Sequence, residues 1–387
     1  MLGGARPDDG QPYRTASVIV RLHHRVLDVL ELEIPPGGLA PADLARELWG
    51  CLGSEICRHL VDEDGLPAVE TLPPEGLGWP ASAPSCGYER DLREAQAPLV
   101  SVVVSTCGRP STLAACLDSL LDTAYPDFEL LVVDNLPSDQ RTAAMVRTRY
   151  GHDPRVLYVS EPTKGSSAAG NRGLAAASSD IVVFTDDDVI ADRHWLPFLV
   201  RAFVTDDRTA CVTGMVTPRE LDTPAQLWFE QYGGFNKGHR RGVYDNDENR
   251  PADPLYPYAA GSFGTGACMA FRTQVLRDLG GFSENLGLGT PATGGEDLDA
   301  FTTLLLRDHR LVYEPDAIVR HAARRDIEGL FRQIRMYGVG LGAMITKQLV
   351  EDSTNRWKLL SRFPRGIAFA LSPRSAKTPG ARTIRAV

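Results

Sequence analysis

Leu99-Val100-Ser101-Val102-Val103-Val104-Ser105, running into Thr106-Cys107-Gly108-Arg109-Pro110, decides the fold. The run is nearly continuous in apolar, β-branched residues and lacks the apolar/polar alternation of a half-buried strand. Such a stretch suits a parallel strand covered on both faces. Downstream, residues 109–121 carry Leu113, Cys116, Leu117 and Leu120 at i, i+3, i+4 and i+7, one face of a helix. Strand-like runs follow at 128–133, 156–159 and 181–184, separated by helical patterns at 142–150 and 167–177. Strands alternating with helices imply an α/β fold, a mostly parallel sheet flanked by helices with right-handed crossovers.

Upstream the pattern changes. Residues 16–22 and 26–34 read as a strand pair, and Pro41 and Asp43 open a helix with Leu44, Leu48, Leu52 and Ile56 on one face. The Pro- and Gly-rich stretch 72–84 reads as a linker. Residues 1–97 hold eight Arg and no Lys against sixteen Asp and Glu, whereas residues 353–387 hold six Arg, two Lys and no acid. Three regions are therefore expected. They are a small acidic α+β module with linker at 1–97, a catalytic domain at 98–325, and a helix with a basic tail at 326–387. The acidic module carries no identifiable chemistry.

The whole chain of 387 residues is 43% hydrophobic with a net charge of −9. That is ample material for a core and argues against a nucleic-acid partner. No apolar run reaches the roughly 18 residues of a membrane span. The first residues, Met1-Leu2-Gly3-Gly4-Ala5-Arg6-Pro7-Asp8, lack the apolar segment of a secretory signal. Seven scattered cysteines without a CxxC pair resemble neither a disulfide framework nor a zinc site; they read as small buried hydrophobes in a reducing compartment. A cytoplasmic location is expected.

In a parallel α/β sheet, ligands bind beyond the carboxyl ends of the strands. The polar features fall there: Thr106 to Arg109, Asp134-Asn135, Lys164-Gly165 and Asp186-Asp187-Asp188. Adjacent carboxylates repel unless screened. Asp186 and Asp188, two apart, point to one side of an extended turn and suit a shared Mg2+ or Mn2+. The same triplet also reads as a solvated acidic turn before the helix near 192–204. Glu296 and Asp297 follow a Gly-rich stretch, as a general base for an acceptor hydroxyl or as a plain first-turn acid. His321 closes an apolar strand that returns to the sheet, as a metal ligand or as a structural histidine.

Taken in order, these motifs resemble a family 2 glycosyltransferase with the GT-A fold. The match runs from residues 102–110 and 132–135 through Lys164 to Gly173 and Phe184 to Asp188. It continues with Gly266 to Arg272, Gly280-Gly281-Phe282, Gly295-Glu296-Asp297, Tyr313-Glu314-Pro315 and His321. The resemblance implies that Thr106 and Arg109 line the nucleotide pocket and that Asp134 recognises the base. It implies that Gly165, Asn171 and Arg172 pass beside the nucleotide sugar and diphosphate. Asp186, Asp187 and Asp188 match the DxD motif, with Asp186 and Asp188 facing ribose and metal and His321 a third metal ligand. Asp297 matches the general base, with Gly266 and Glu296 on the acceptor side. Cys107 departs from the pattern, since polar residues are commoner there.

The implied reaction is metal-dependent, inverting transfer from a nucleotide-diphosphate sugar, commonly a UDP-sugar, to a hydroxyl. The acceptor is a sugar, a lipid-linked molecule or a small molecule. Two other classes stay open: a nucleotidyltransferase making a sugar nucleotide, and a non-catalytic sugar-nucleotide-binding scaffold. The first wants a basic Gly-rich phosphate loop after strand one, which Thr106 to Arg109 matches poorly. Trp228, Phe229, Tyr232, Phe235, Tyr256, Tyr258 and Phe263 read either as acceptor-stacking rings or as core and lid. The basic tail, with Trp357, Leu359, Leu360, Phe363 and Phe369, reads as a peripheral contact to the inner face of a membrane or as an appendage beyond a packed helix.

Overall fold

The computed structural model describes residues 10, 12–78, 84–351, 356–362, 364 and 368; Phe363, Phe369 and most of the basic tail lie outside them. The chain divides into two units, Met1–Glu94 and Ala95–Val387.

In the first unit, β1 (Thr15–Leu22) and β2 (Arg25–Glu33) form an antiparallel hairpin whose register shifts between Val20 and Arg21. Helix α1 (Pro41–Arg58) starts with Pro at its first position and Asp43 in its first turn, both favourable there. A π-helical turn, His59–Glu63, extends it. A short helix α2 (Glu89–Glu94) ends the unit. Val20, Leu22, Leu27, Leu52, Ile56 and Leu60 form the core, with Leu48 packed against it.

The second unit is built on a nine-stranded sheet. In chain order its elements are β3 (Val100–Thr106), α3 (Pro110–Leu121), β4 (Phe128–Asn135), α4 (Arg141–Tyr150), β5 (Val156–Glu161) and α5 (Ser166–Ala176). Next come β6 (Ile181–Asp186), β7 (Val189–Ala191), α6 (Trp195–Val204), β8 (Thr209–Pro218), α7 (Pro224–Gly233) and β9 (Gly242–Tyr244). The series ends with β10 (Cys268–Arg272), α8 (Thr273–Asp278), α9 (Glu296–Leu306), β11 (Arg310–His321), α10 (Ile327–Glu351) and α11 (Arg356–Leu360). The sheet order is β5-β4-β3-β6-β10-β8-β11-β7, with β9 also on β11.

Strands β5, β4, β3 and β6 are mutually parallel, as the alternating pattern requires. Val100, Val102, Val103 and Val104 are all buried, so β3 is covered on both faces. Beyond β6 the sheet is mixed: β10 runs antiparallel to both β6 and β8, while β11 is parallel to β8. The returning strand β11 shifts register between Glu314 and Ile318 and ends with His321 opposite Val189 of β7.

Helix α10 belongs to the second unit, packing on α9 and α7, and runs well past residue 337. Among the described residues no helix is long and apolar enough to cross a membrane. All seven cysteines are free. Cys86, Cys116, Cys211 and Cys268 are buried, but Cys51 and Cys107 are exposed and Cys57 is half-buried, so the expectation of buried hydrophobes fails for these three.

Candidate active site

Register brings the polar strand ends level. Thr106 pairs with Asp134, Asp134 with Ser160, and Ser105 with Asp186, so β3, β4, β5 and β6 end on one rim. Asp186 stands exposed at this rim, while Asp187 and Asp188 turn inward and are buried. The Thr106 hydroxyl donates to Asp187 Oδ2 at 2.6 Å. Arg109, just before α3, pairs with Asp187 and reaches Asp188 Oδ2 at 3.0 Å. His321 Nε2 lies 3.3 Å from Asp188 Oδ1 and 3.9 Å from Asp186 Oδ2.

One ligand atom each from Asp186, Asp188 and His321 falls within 4.8 Å of the others. Asp188 Oδ1 is buried and receives no hydrogen bond of good geometry, an arrangement suited to an oxygen that ligates a cation. Two hard carboxylates and an imidazole are a donor set that Mn2+ or Mg2+ accepts. Burial works against charge on Asp188, yet His321 and then Arg109 outweigh it and hold its pKa at about 2. Burial likewise works against an imidazolium at His321, but Asp188 and Asp186 raise its pKa above the ordinary value.

Asp134 is buried at the end of β4, where the Tyr158 hydroxyl donates to its Oδ2 at 2.9 Å. Burial raises its pKa and that hydrogen bond opposes the rise. Beside it, Asn135 fastens the next turn: its Nδ2 donates to Thr163 O at 2.6 Å and its Oδ1 accepts from Gly165 N at 3.0 Å. Gly165 has φ of 142°, a conformation side-chain-bearing residues avoid, and it starts α5. The Ser166 hydroxyl donates to Glu296 Oε1 at 2.6 Å, tying this turn to the start of α9.

Asp297 is held by two backbone donors, Gly266 N to Oδ2 and Leu298 N to Oδ1, both at 2.8 Å. Gly266 thus positions the carboxylate. Burial raises the pKa of Asp297, while these N–H groups, and then Lys237, pull it down. Burial pushes Glu296 up to about 7, and the charges of Asp297 and Asp186 add to the rise. Tyr337 of α10 is raised chiefly by burial and further by both Asp186 and Asp297. Cys268 of β10 pairs with Thr185 of β6, so Gly266, and the Asp297 it holds, sit at the rim where Asp186 ends its strand, although Asp186 and Asp297 come from distant parts of the chain.

Asn171 and Arg172, which the resemblance places beside the nucleotide sugar and diphosphate, both lie on α5. Both ends of the Asn171 amide are taken by the Phe282 backbone, at 2.9 and 2.8 Å, so it clamps the Gly280-Gly281-Phe282 turn onto α5. Arg172 is exposed on α5. Among the aromatics, Phe229, Tyr256, Tyr258 and Phe263 are core, whereas Phe235 stands edge-on to His321 at 5.2 Å and to Tyr337 at 6.2 Å.

Sequence reading missed several neighbours. Lys237 sits close enough to oppose the shifts of both Asp297 and Glu230. Burial pushes Glu230 up to about 7, against Lys237 and His321. Tyr337 arrives on α10, with Thr293 Oγ1 donating to Met336 O at 3.3 Å. Gly340 of α10 meets Gly294 and Gly295 backbone to backbone; a Cβ on Gly340 would fall 2.8 Å from Gly294 C.

Fold and site define an α/β protein with an acidic cluster and a second carboxylate pair at the carboxyl rim of its sheet. The family model "Glycosyltransferase like family 2" matches residues 97–336, and the chain belongs to that family. Relatives include a pre-mycofactocin glycosyltransferase of Mycobacterium tuberculosis, 28% identical over 223 residues, covering 56% of this chain and 42% of the relative. An N-acetylglucosaminyltransferase of Rhizobium meliloti is 25% identical over 240 residues, covering 61% and 54%. This chain spans about half the length of these curated relatives. A solved mannosyltransferase of Pyrobaculum calidifontis, in complex with GDP-Man and Mn2+, aligns at 20% identity over 74% of this chain and 88% of that one, TM-score 0.45.

Proposed function

We propose that this chain transfers a sugar from a nucleotide-diphosphate sugar to an acceptor hydroxyl with inversion at the anomeric carbon. The observation that carries the proposal is a rim shared by two groups of acids: Asp186 ends β6 there, and Asp297 is bound by Gly266, which leads into β10 where Cys268 pairs with Thr185 of β6. One group of acids suits a diphosphate and its cation; the other suits a hydroxyl.

Asp297 is the base. Its two backbone donors fix the carboxylate in the cleft, and its raised pKa strengthens it as a proton acceptor. It takes the proton from the acceptor hydroxyl as that oxygen attacks from the face opposite the leaving group. Glu296 and Gly266 shape the acceptor side. Asp186, Asp188 and His321 hold Mn2+ or Mg2+, which when bound stabilises the charge developing on the departing diphosphate. Thr106 and Arg109 lock the orientation of Asp187 and Asp188. Asp134 with Tyr158 recognises the base, with a UDP-sugar the expected donor, and the Gly165 turn borders the nucleotide sugar.

Incubating the protein with a panel of sugar nucleotides and Mn2+ tests the proposal. Release of nucleoside diphosphate supports it. Release of pyrophosphate from a nucleotide and a sugar phosphate would instead indicate nucleotidyl transfer, and neither product would leave a binding protein.

A further inference from the structure

A second group of ligand-type side chains lies in the first unit, separate from the carboxylate site. His23 sits in the turn between β1 and β2, His59 opens the π-helical turn after α1, Asp64 closes that turn, and Cys86 follows the Pro-rich stretch. All four are buried: the side chains of His23, His59 and Asp64 are 4%, 3% and 1% exposed, and Cys86 is 5% exposed. They supply one ligand atom each, all within 4.8 Å of one another.

We propose that His23 Nδ1, His59 Nε2, Asp64 Oδ2 and Cys86 Sγ form a structural zinc site. Five of the six separations lie near tetrahedral edges, and the sixth, between the two histidine nitrogens, is within 4.8 Å. Asp64 Oδ2 lies 2.8 Å from His23 Nδ1 and 3.2 Å from His59 Nε2. Cys86 Sγ lies 3.2 Å from His59 Nε2, 3.6 Å from His23 Nδ1 and 3.5 Å from Asp64 Oδ2. Zinc bonds of about 2.0–2.1 Å to nitrogen or oxygen and about 2.3 Å to sulfur give tetrahedral edges of about 3.3 and 3.6 Å. The four atoms need only small movements to take up such a shell.

The surrounding contacts orient the ligands as a metal site requires. His59 Nδ1 faces Glu63 Oε2 at 3.3 Å, which leaves Nε2 as the coordinating nitrogen; a carboxylate behind a ligating imidazole is the usual outer support. Cys86 N donates to Asp64 Oδ1 at 3.1 Å, leaving Oδ2 for the centre. A thiolate and a carboxylate with two neutral imidazoles neutralise a divalent ion. The single sulfur and two nitrogens favour Zn2+ over Mg2+.

The site also explains two local features. His23 and His24 both have positive φ, 52° and 70°, in a two-residue hairpin turn where Asn or Gly is the usual choice. The π turn advances the chain by one extra residue between His59 and Asp64. The ion would staple hairpin, helix end and returning segment of a unit with a small core, a role structural zinc often fills. The cysteine spacing hid this site, because it uses one Cys and draws its other ligands from His and Asp far apart in sequence.

Co2+ titration of the chelator-stripped full-length protein tests the proposal, since tetrahedral Co2+ bound to a thiolate absorbs in the near ultraviolet and strongly in the visible. The expected result is a saturable thiolate-to-cobalt band that Zn2+ displaces. It should persist unchanged in Asp188→Asn, which spoils only the carboxylate site, and in Cys51→Ser and Cys107→Ser. It should vanish in Cys86→Ser. Absence of the band in the unmutated protein overturns the proposal and leaves a plain hydrogen-bonded cluster. Persistence in a folded Cys86→Ser protein, checked by circular dichroism, overturns it as well. The measurement on the unmutated chain decides even if that variant does not fold.

Discussion

Replacing Asp297 with Asn changes one oxygen for an amide and tests the base directly. In the structure both carboxylate oxygens accept a backbone N–H, from Gly266 and Leu298, at 2.8 Å. The Asn side chain keeps one acceptor and turns its NH2 toward the other donor. One hydrogen bond to a charged group is lost, about 1.5–3 kcal/mol in general. Burial that opposes a charge at this position offsets part of that loss, so the variant should fold. The catalytic loss is larger. General-base assistance is worth about 10²–10⁴-fold, equivalent to about 2.7–5.5 kcal/mol of barrier. Turnover, followed as nucleoside diphosphate released in the presence of acceptor, should fall by that factor, with donor affinity by calorimetry unchanged. A fall of less than tenfold, or loss of donor binding, would refute the role of Asp297 as base.

The raised pKa of Asp297 fixes the sign of a pH effect: the base is protonated and idle on the acid side, so kcat/KM should fall with a midpoint above the ordinary Asp value. Exhaustive chelation should abolish turnover and Mn2+ restore it, with His321→Ala requiring more Mn2+ for half-maximal rate and Cys86→Ser the same amount as the unmutated chain. Thr106→Val deletes the 2.6 Å hydrogen bond to the buried Asp187 and should cost about 1–3 kcal/mol of stability in urea denaturation, an unchanged midpoint counting against it.

The parallel half of the fold was legible because burial on both faces leaves a mark on local composition. The apolar runs at β3, β4 and β6 could be read one residue at a time, and their ends located Thr106, Asp134 and Asp186 on one rim. The antiparallel insertion of β10 between β6 and β8 left no such trace, since pairing direction is set by distant partners. Side-chain commitments were equally hidden. Nothing near Asn171 announces that the Phe282 backbone takes up its whole amide, and nothing near Tyr337 announces Asp186. The four clustered side chains of the first unit, His23, His59, Asp64 and Cys86, span residues 23 to 86, so only folding brings them together.

The contact of Gly340 with Gly294 and Gly295 ties α10 to the peptide that launches α9, whose second residue is Asp297. No side chain lies between the two backbones to cushion a displacement. A rod of 25 residues, bearing Phe331 and Ile334 in solvent, is thereby geared to the helix start that carries Asp297, so a slide or tilt of the rod would shift that carboxylate.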